Sequence, residues 1–132
     1  MSKQVPLGAH GEAEQRVEFK HTLTHWNAEL PEVYSTPHMI GLMETAAYHA
    51  LQPYLDSGEI SVGTAINIEH RDSATIGALV KAEAELESFD GRFFVFRVSA
   101  RAVNHAGERE IGRGTVSRAI VHLERMKKKL QK

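Results

Sequence analysis

After Gly58 the apolar pattern of this chain changes period, and it does not change back. Upstream, in STPHMIGLMETAAYHALQPYL (residues 35–55), Ile40, Ala47 and Leu51 recur at helical spacing. Downstream, ISVGTAINIEHR sets Val62, Thr64, Ile66 and Ile68 against Gly63, Ala65, Asn67 and Glu69. FFVFRVSARAV does the same with Phe94, Phe96, Val98, Ala100 and Ala102 against Arg97, Ser99 and Arg101. ALVKAEAELESF and REIGRGTVSRAIVHLE supply two further runs with the period of a strand. The connections are short, DGR and NHAGE among them, so these four strands must pair antiparallel. A fifth strand is expected earlier, in RVEFKHTLTHW, where Val17, Phe19, His21, Leu23 and His25 alternate with more polar neighbours. Residues 27–35, with Pro31, read as a loop. Five strands and one apolar-faced helix have an economical solution, an antiparallel sheet curled around the helix in an α+β domain.

The helix has readable ends. Ser35 or Thr36 is a suitable N-cap, Pro37 suits the first helical position, and Gly58 supplies a C-terminal stop near DSGE. With 132 residues the chain fits one domain. The expected division is a mobile polar lead-in over residues 1–15, the folded domain over 16–123, and a solvated basic helical tail over 124–132. Sixteen basic and 17 acidic residues leave a net charge of −1, which argues against nucleic-acid or anionic-membrane binding. The absence of cysteine excludes disulfides, thiolate catalysis and cysteine-ligated zinc. No apolar run approaches a membrane span, and MSKQVPLGAHGEAEQ lacks the apolar centre of a signal peptide, so a cytoplasmic protein is expected.

One letter in the helix is out of place. Glu44 shares the stripe of Ile40, Ala47 and Leu51, where a carboxylate meets little water. Burial without a partner costs several kcal/mol and pushes a carboxyl toward neutral pKa, which suits a general base or a nucleophile. The plainer alternative is a glutamate at the edge of the stripe, bonded to backbone or reaching solvent. Thr36 lies eight residues earlier, within ~80° of the same direction, at a helix terminus whose free N–H groups favour an oxyanion. His70 closes the first strand after the helix, where an imidazole can hold or relay a proton. Gly63 sits inside a strand, which costs stability unless something must approach closely, although a bulge over the helix is an equal reading. The pair His21 and His25 invites a metal-site reading. On a strand the two stand ~13 Å apart, so no metal site is expected.

Taken in order, STPHMIGLMETAA, VGTAINIEHRDSATIG, DGRFFVFRVSA and EIGRGTVSR resemble the hotdog-fold thioesterases of the fluoroacetyl-CoA thioesterase type over roughly residues 15–122. The resemblance implies a hotdog fold, in which the sheet wraps one long helix, and a homodimer. It also implies hydrolysis of a small or medium acyl-CoA with no cofactor. It places the family's threonine on Thr36, its glutamate on Glu44, its histidine on His70 and its acyl-site glycine on Gly63. In this reading Glu44 is base or nucleophile, Thr36 orients the attack and donates to the tetrahedral oxygen, and His70 relays the proton. Gly63 admits the acyl carbon, Arg113 and Arg118 meet CoA phosphates, and NAELPEVY forms an acyl lid. The chain departs from the family pattern at Val116, where a histidine often stands, and in RDSATIG, which lacks the usual prolines. Fluoroacetyl specificity is therefore not expected. The rival functional reading is a non-catalytic module binding acyl-CoA or another small ligand on the same fold.

Overall fold

In the computed structural model, which describes residues 4–131, the helix of the sequence reading is α2 (Thr36–Leu51). It packs against all five strands of one antiparallel sheet. These are β1 (His10–Arg16), β2 (Glu59–His70), β3 (Leu79–Phe89), β4 (Phe93–Asn104) and β5 (Gly107–His122), ordered β1-β3-β4-β5-β2. Two shorter helices, α1 (Leu23–Trp26) and α3 (Leu123–Leu130), stand outside the wrap. Ser35 is the N-cap of α2, its hydroxyl accepting from the His38 N–H, and Pro37 lies in the first turn. The helix passes into a 3-10 turn over Gln52–Tyr54 before Gly58, at φ +85°, turns the chain into β2.

The strand period does what the letters promise. Val80, Ala82, Ala84 and Leu86 of β3 and Phe94, Phe96, Val98, Ala100 and Ala102 of β4 all point inward and are buried. They meet Met39, Met43, Ala46, Ala47, Ala50 and Leu51 of α2. The helix therefore buries a face centred on Met39, Met43, Ala46 and Ala50, and Ile40 is only half-buried. Glu44 stands at the flank of that face rather than in its middle. No described helix is long and apolar enough to cross a membrane.

The fifth strand lies elsewhere than expected. It is β1, which lies in the lead-in expected to be mobile except for its last residue, with His10 through Arg16 paired to Glu85 through Leu79 and with Ala9 buried just before it. The segment read as a strand instead bends into a 3-10 turn at Phe19–His21 and then α1. Local bonds divert it. The Glu18 N–H donates to His21 Nδ1 at 2.9 Å and the Thr22 hydroxyl donates to the Phe19 carbonyl at 2.7 Å. Phe19, the second member of the apparent alternation, is 49% exposed. The ~13 Å spacing of His21 and His25 loses its premise with the strand. Among the described residues the grouping with metal-ligand spacing is instead His10, Glu12 and Glu83 on the outer surface. The chain ends in α3, which buries none of its residues.

Candidate active site

Two separate clusters hold the expected site residues other than Arg113. In the first, the Thr36 hydroxyl and His70 Nδ1 lie 2.7 Å apart, bringing the first residue of α2 to the last residue of β2. Burial holds the His70 imidazole below its ordinary pKa, with Asp72 opposing in part, so the ring is neutral at cellular pH. A neutral ring that accepts the threonine proton at Nδ1 carries its own proton on Nε2. The helix terminus offers fewer N–H groups than expected. Pro37 has none, and the His38 N–H is taken by Ser35, whose Oγ also lies 2.5 Å from His38 Nδ1.

The second cluster surrounds Glu44. Its Oε2 lies 3.4 Å from Nη1 of Arg118, which is only 7% exposed. Arg118 donates from Nε to Ser61 Oγ and from Nη2 to the Ser61 carbonyl, both at 3.0 Å, and its guanidinium lies 5.7 Å from the centre of the Tyr48 ring. Gly63 faces Arg118 across the β2–β5 ladder, next to a register shift at Gly63/Ala65. A Cβ on Gly63 would run into Glu44 Oε2. Burial raises the pKa of Glu44 and the Arg118 charge pulls it back in part. The carboxyl is thus a better base than an exposed glutamate. Ser61 and Tyr48 escaped the sequence reading. Ser61 carries a faint signal, since it lies two residues before Gly63 and so on the same face of β2.

The arginines divide. Arg118 is turned inward onto Glu44, whereas Arg113 stands opposite Ser99 on the outer face of the sheet, 3.8 Å from Glu110. Arg113 lines a concavity of about 730 Å³ there and is not brought to either cluster. The clusters are themselves apart within one chain. His70 pairs with Gly112 and Gly63 with Arg118, a separation of six residue steps on β5, or about 20 Å at ~3.4 Å per residue. Side-chain reach reduces this to roughly 10 Å or more between the Glu44 carboxylate and the imidazole.

A five-stranded antiparallel sheet wrapped round one helix, with a hydroxyl–imidazole pair at one end of that helix and a half-buried carboxylate two turns along, defines a hotdog protein of the thioesterase kind. The fluoroacetyl-CoA-specific thioesterase family matches residues 17–124, and the chain belongs to that family. Over 104 residues it is 47% identical to the fluoroacetyl-CoA thioesterase of Streptantibioticus cattleyicolor, covering 79% of this chain and 72% of that protein. The solved fluoroacetyl-CoA thioesterase FlK superposes with a TM-score of 0.85 at 39% identity, over 98% of this chain and 97% of its own. A Thermus thermophilus protein described as a thioesterase superfamily member superposes at 0.88 with 25% identity, over 98% and 93% of the two chains.

Proposed function

We propose that this protein hydrolyses a small or medium acyl-CoA thioester as a homodimer, each active site drawing on both subunits. One observation carries the reading. Among the described residues, only three buried side-chain polar atoms lack a hydrogen-bond partner, and two of them are Glu44 Oε1 and His70 Nε2. Buried polar atoms are nearly always paired, so unpaired ones mark where a reacting group belongs. Within one chain these two atoms are too far apart to act on one carbonyl.

A second copy removes the separation. β2 is an edge strand, and Thr64 through Ile68 carries no charge, with Ile66 51% exposed. Such an edge favours pairing with another strand. An antiparallel twofold pairing with Ile66 and Asn67 about the axis sets Gly63 opposite the partner's His70. Glu44 then shares a pocket with the partner's His70.

In that pocket Glu44 Oε1 removes a proton from water as the water oxygen bonds to the thioester carbonyl carbon. The tetrahedral intermediate then expels the sulfur, breaking the C–S bond. The proton taken up by Glu44 passes to the departing CoA thiolate, while Nε2–H of the partner's His70 donates a hydrogen bond to that sulfur and the ring stays neutral. The partner's Thr36 fixes that imidazole through Nδ1. A thioester carbonyl is electrophilic and its thiolate leaves readily, so this modest apparatus suffices.

The test is thiol release from a panel of acyl-CoAs. Glu44→Gln should lower kcat by a factor of at least ~100 with the fold retained. Undiminished hydrolysis by that variant would reject the assignment, and tight binding of CoA esters with no thiol release by the unaltered protein would favour the binding-module reading.

A further inference from the structure

We propose that Arg118 is a positioning residue for hydrolysis: anchored on Ser61, its guanidinium holds Oε2 of Glu44, so that Oε1 alone is presented to the reacting groups. The inference rests on Glu44 being the reacting carboxylate. It goes beyond that assignment by dividing the work between the two oxygens and by giving the buried arginine a task other than phosphate binding.

The geometry supports it at each atom. The guanidinium is a rigid fork, and its Nε and Nη2 are both spent on Ser61, one on the hydroxyl and one on the carbonyl. That leaves Nη1 for the carboxylate, at 3.4 Å from Oε2. Gly63 lies on the other side, leaving room for the same Oε2, which a Cβ there would push out of place. Oε2 is therefore held between an arginine and bare backbone, while Oε1 is buried without a partner. A CoA phosphate reaching Arg118 would have to displace either Glu44 or Ser61 from a side chain that is 7% exposed.

The charges facing Glu44 are few. From β5 comes Arg118, from β2 comes Gly63 with none, and on α2 the neighbouring Tyr48 lies against Arg118. In the dimer the partner's His70 joins them. Burial disfavours the ionised carboxyl and the guanidinium favours it, so removing the guanidinium leaves the inactive, protonated form present to higher pH.

The experiment compares Arg118→Gln and Arg118→Lys with the unaltered protein. It measures kcat and KM for an acyl-CoA between about pH 5 and pH 9, and follows the Glu44 carboxyl by carbon-13 NMR titration. In Arg118→Gln the acid limb should move up by about one pH unit or more, with kcat near neutrality down roughly tenfold or more and recovering as pH rises. KM should change little. In Arg118→Lys the retained charge should return the acid limb toward its original place. Its kcat should stay reduced, because one ammonium cannot hold Ser61 and Glu44 together. A raised KM with an unmoved pH profile, or a Glu44 titration unchanged by Arg118→Gln, would overturn the proposal. If Arg118→Gln fails to fold, full kcat in Arg118→Lys would overturn it. The NMR titration reports the hold on Glu44 whether or not Glu44 proves to be the reacting group, so failure of either reading is seen separately.

Discussion

Gly63 shows what a single letter can and cannot say. A glycine inside a strand pattern signals either a bulge or a close approach; the ladder does shift register at Gly63/Ala65, and the family resemblance gave the approaching group as an acyl carbon. In the structure the space above Gly63 is filled by Glu44 itself. The letter was legible and its reason was not, because the reason sits 19 positions away on another element. Glu44 was more legible, since a carboxylate beside a helical apolar stripe needs a partner. That partner, Arg118, resembled any other arginine of β5 until the ladder set Gly63 opposite it. The glycine's role can be tested directly. Gly63→Ala should displace the carboxylate and lower kcat by a factor of about 10 to 100 or more, with little loss of stability, because the obstacle is the far end of a flexible side chain that can swing aside. Steady-state kinetics and thermal melts check both, and an unchanged kcat would mean that Glu44 is not held against this backbone.

Among the elements, α2, β3 and β4 were readable because each keeps one period over many residues, and β2 and β5 were readable as strands although β2 shifts register at Gly63/Ala65. β1 was not. Its HGEAEQR carries one buried glycine and no large apolar residue, so the alternation that marks a strand is missing. What replaces it is proximity, since a Cβ on Gly11 would strike the Ala46 carbonyl and the Ala50 backbone of α2. The small Ala46 and Ala50 on the helix and Gly11 on the strand are one device for bringing backbone close to backbone. Both obstacles are main chain, so neither can swing aside. Gly11→Ala should therefore destabilise the fold by ~1–3 kcal/mol, seen as a lower urea midpoint with an unchanged slope. An unaltered midpoint would mean that β1 is not seated against α2. The false strand over residues 16–26 has an equally local cause, the bonds from the Glu18 N–H and the Thr22 hydroxyl that favour helical turns. Alternation over a few residues does not outweigh such bonds.

At the scale of the molecule, the helix-in-sheet architecture followed from the order of periods, but the division of the site into two clusters did not. Thr36 and Glu44 lie two helical turns apart, ~12 Å of rise, whereas His70 and Gly63 are held about 20 Å apart by an extended strand. The two elements diverge, and no alignment of letters reveals that a site legible as one constellation is split in each chain. In the proposed dimer, twofold pairing of β2 would restore it, each dimer then holding two sites of mixed parentage. Mixing two inactive variants tests this arrangement most directly. Glu44→Gln and His70→Ala homodimers should both be inactive. Co-expressed or refolded together, they form heterodimers in which one of the two sites keeps both Glu44 and the partner's His70. Random pairing predicts recovery of about a quarter of the unaltered thiol-release rate. No recovery in a mixture shown by tandem purification to contain heterodimers would contradict a site shared between subunits.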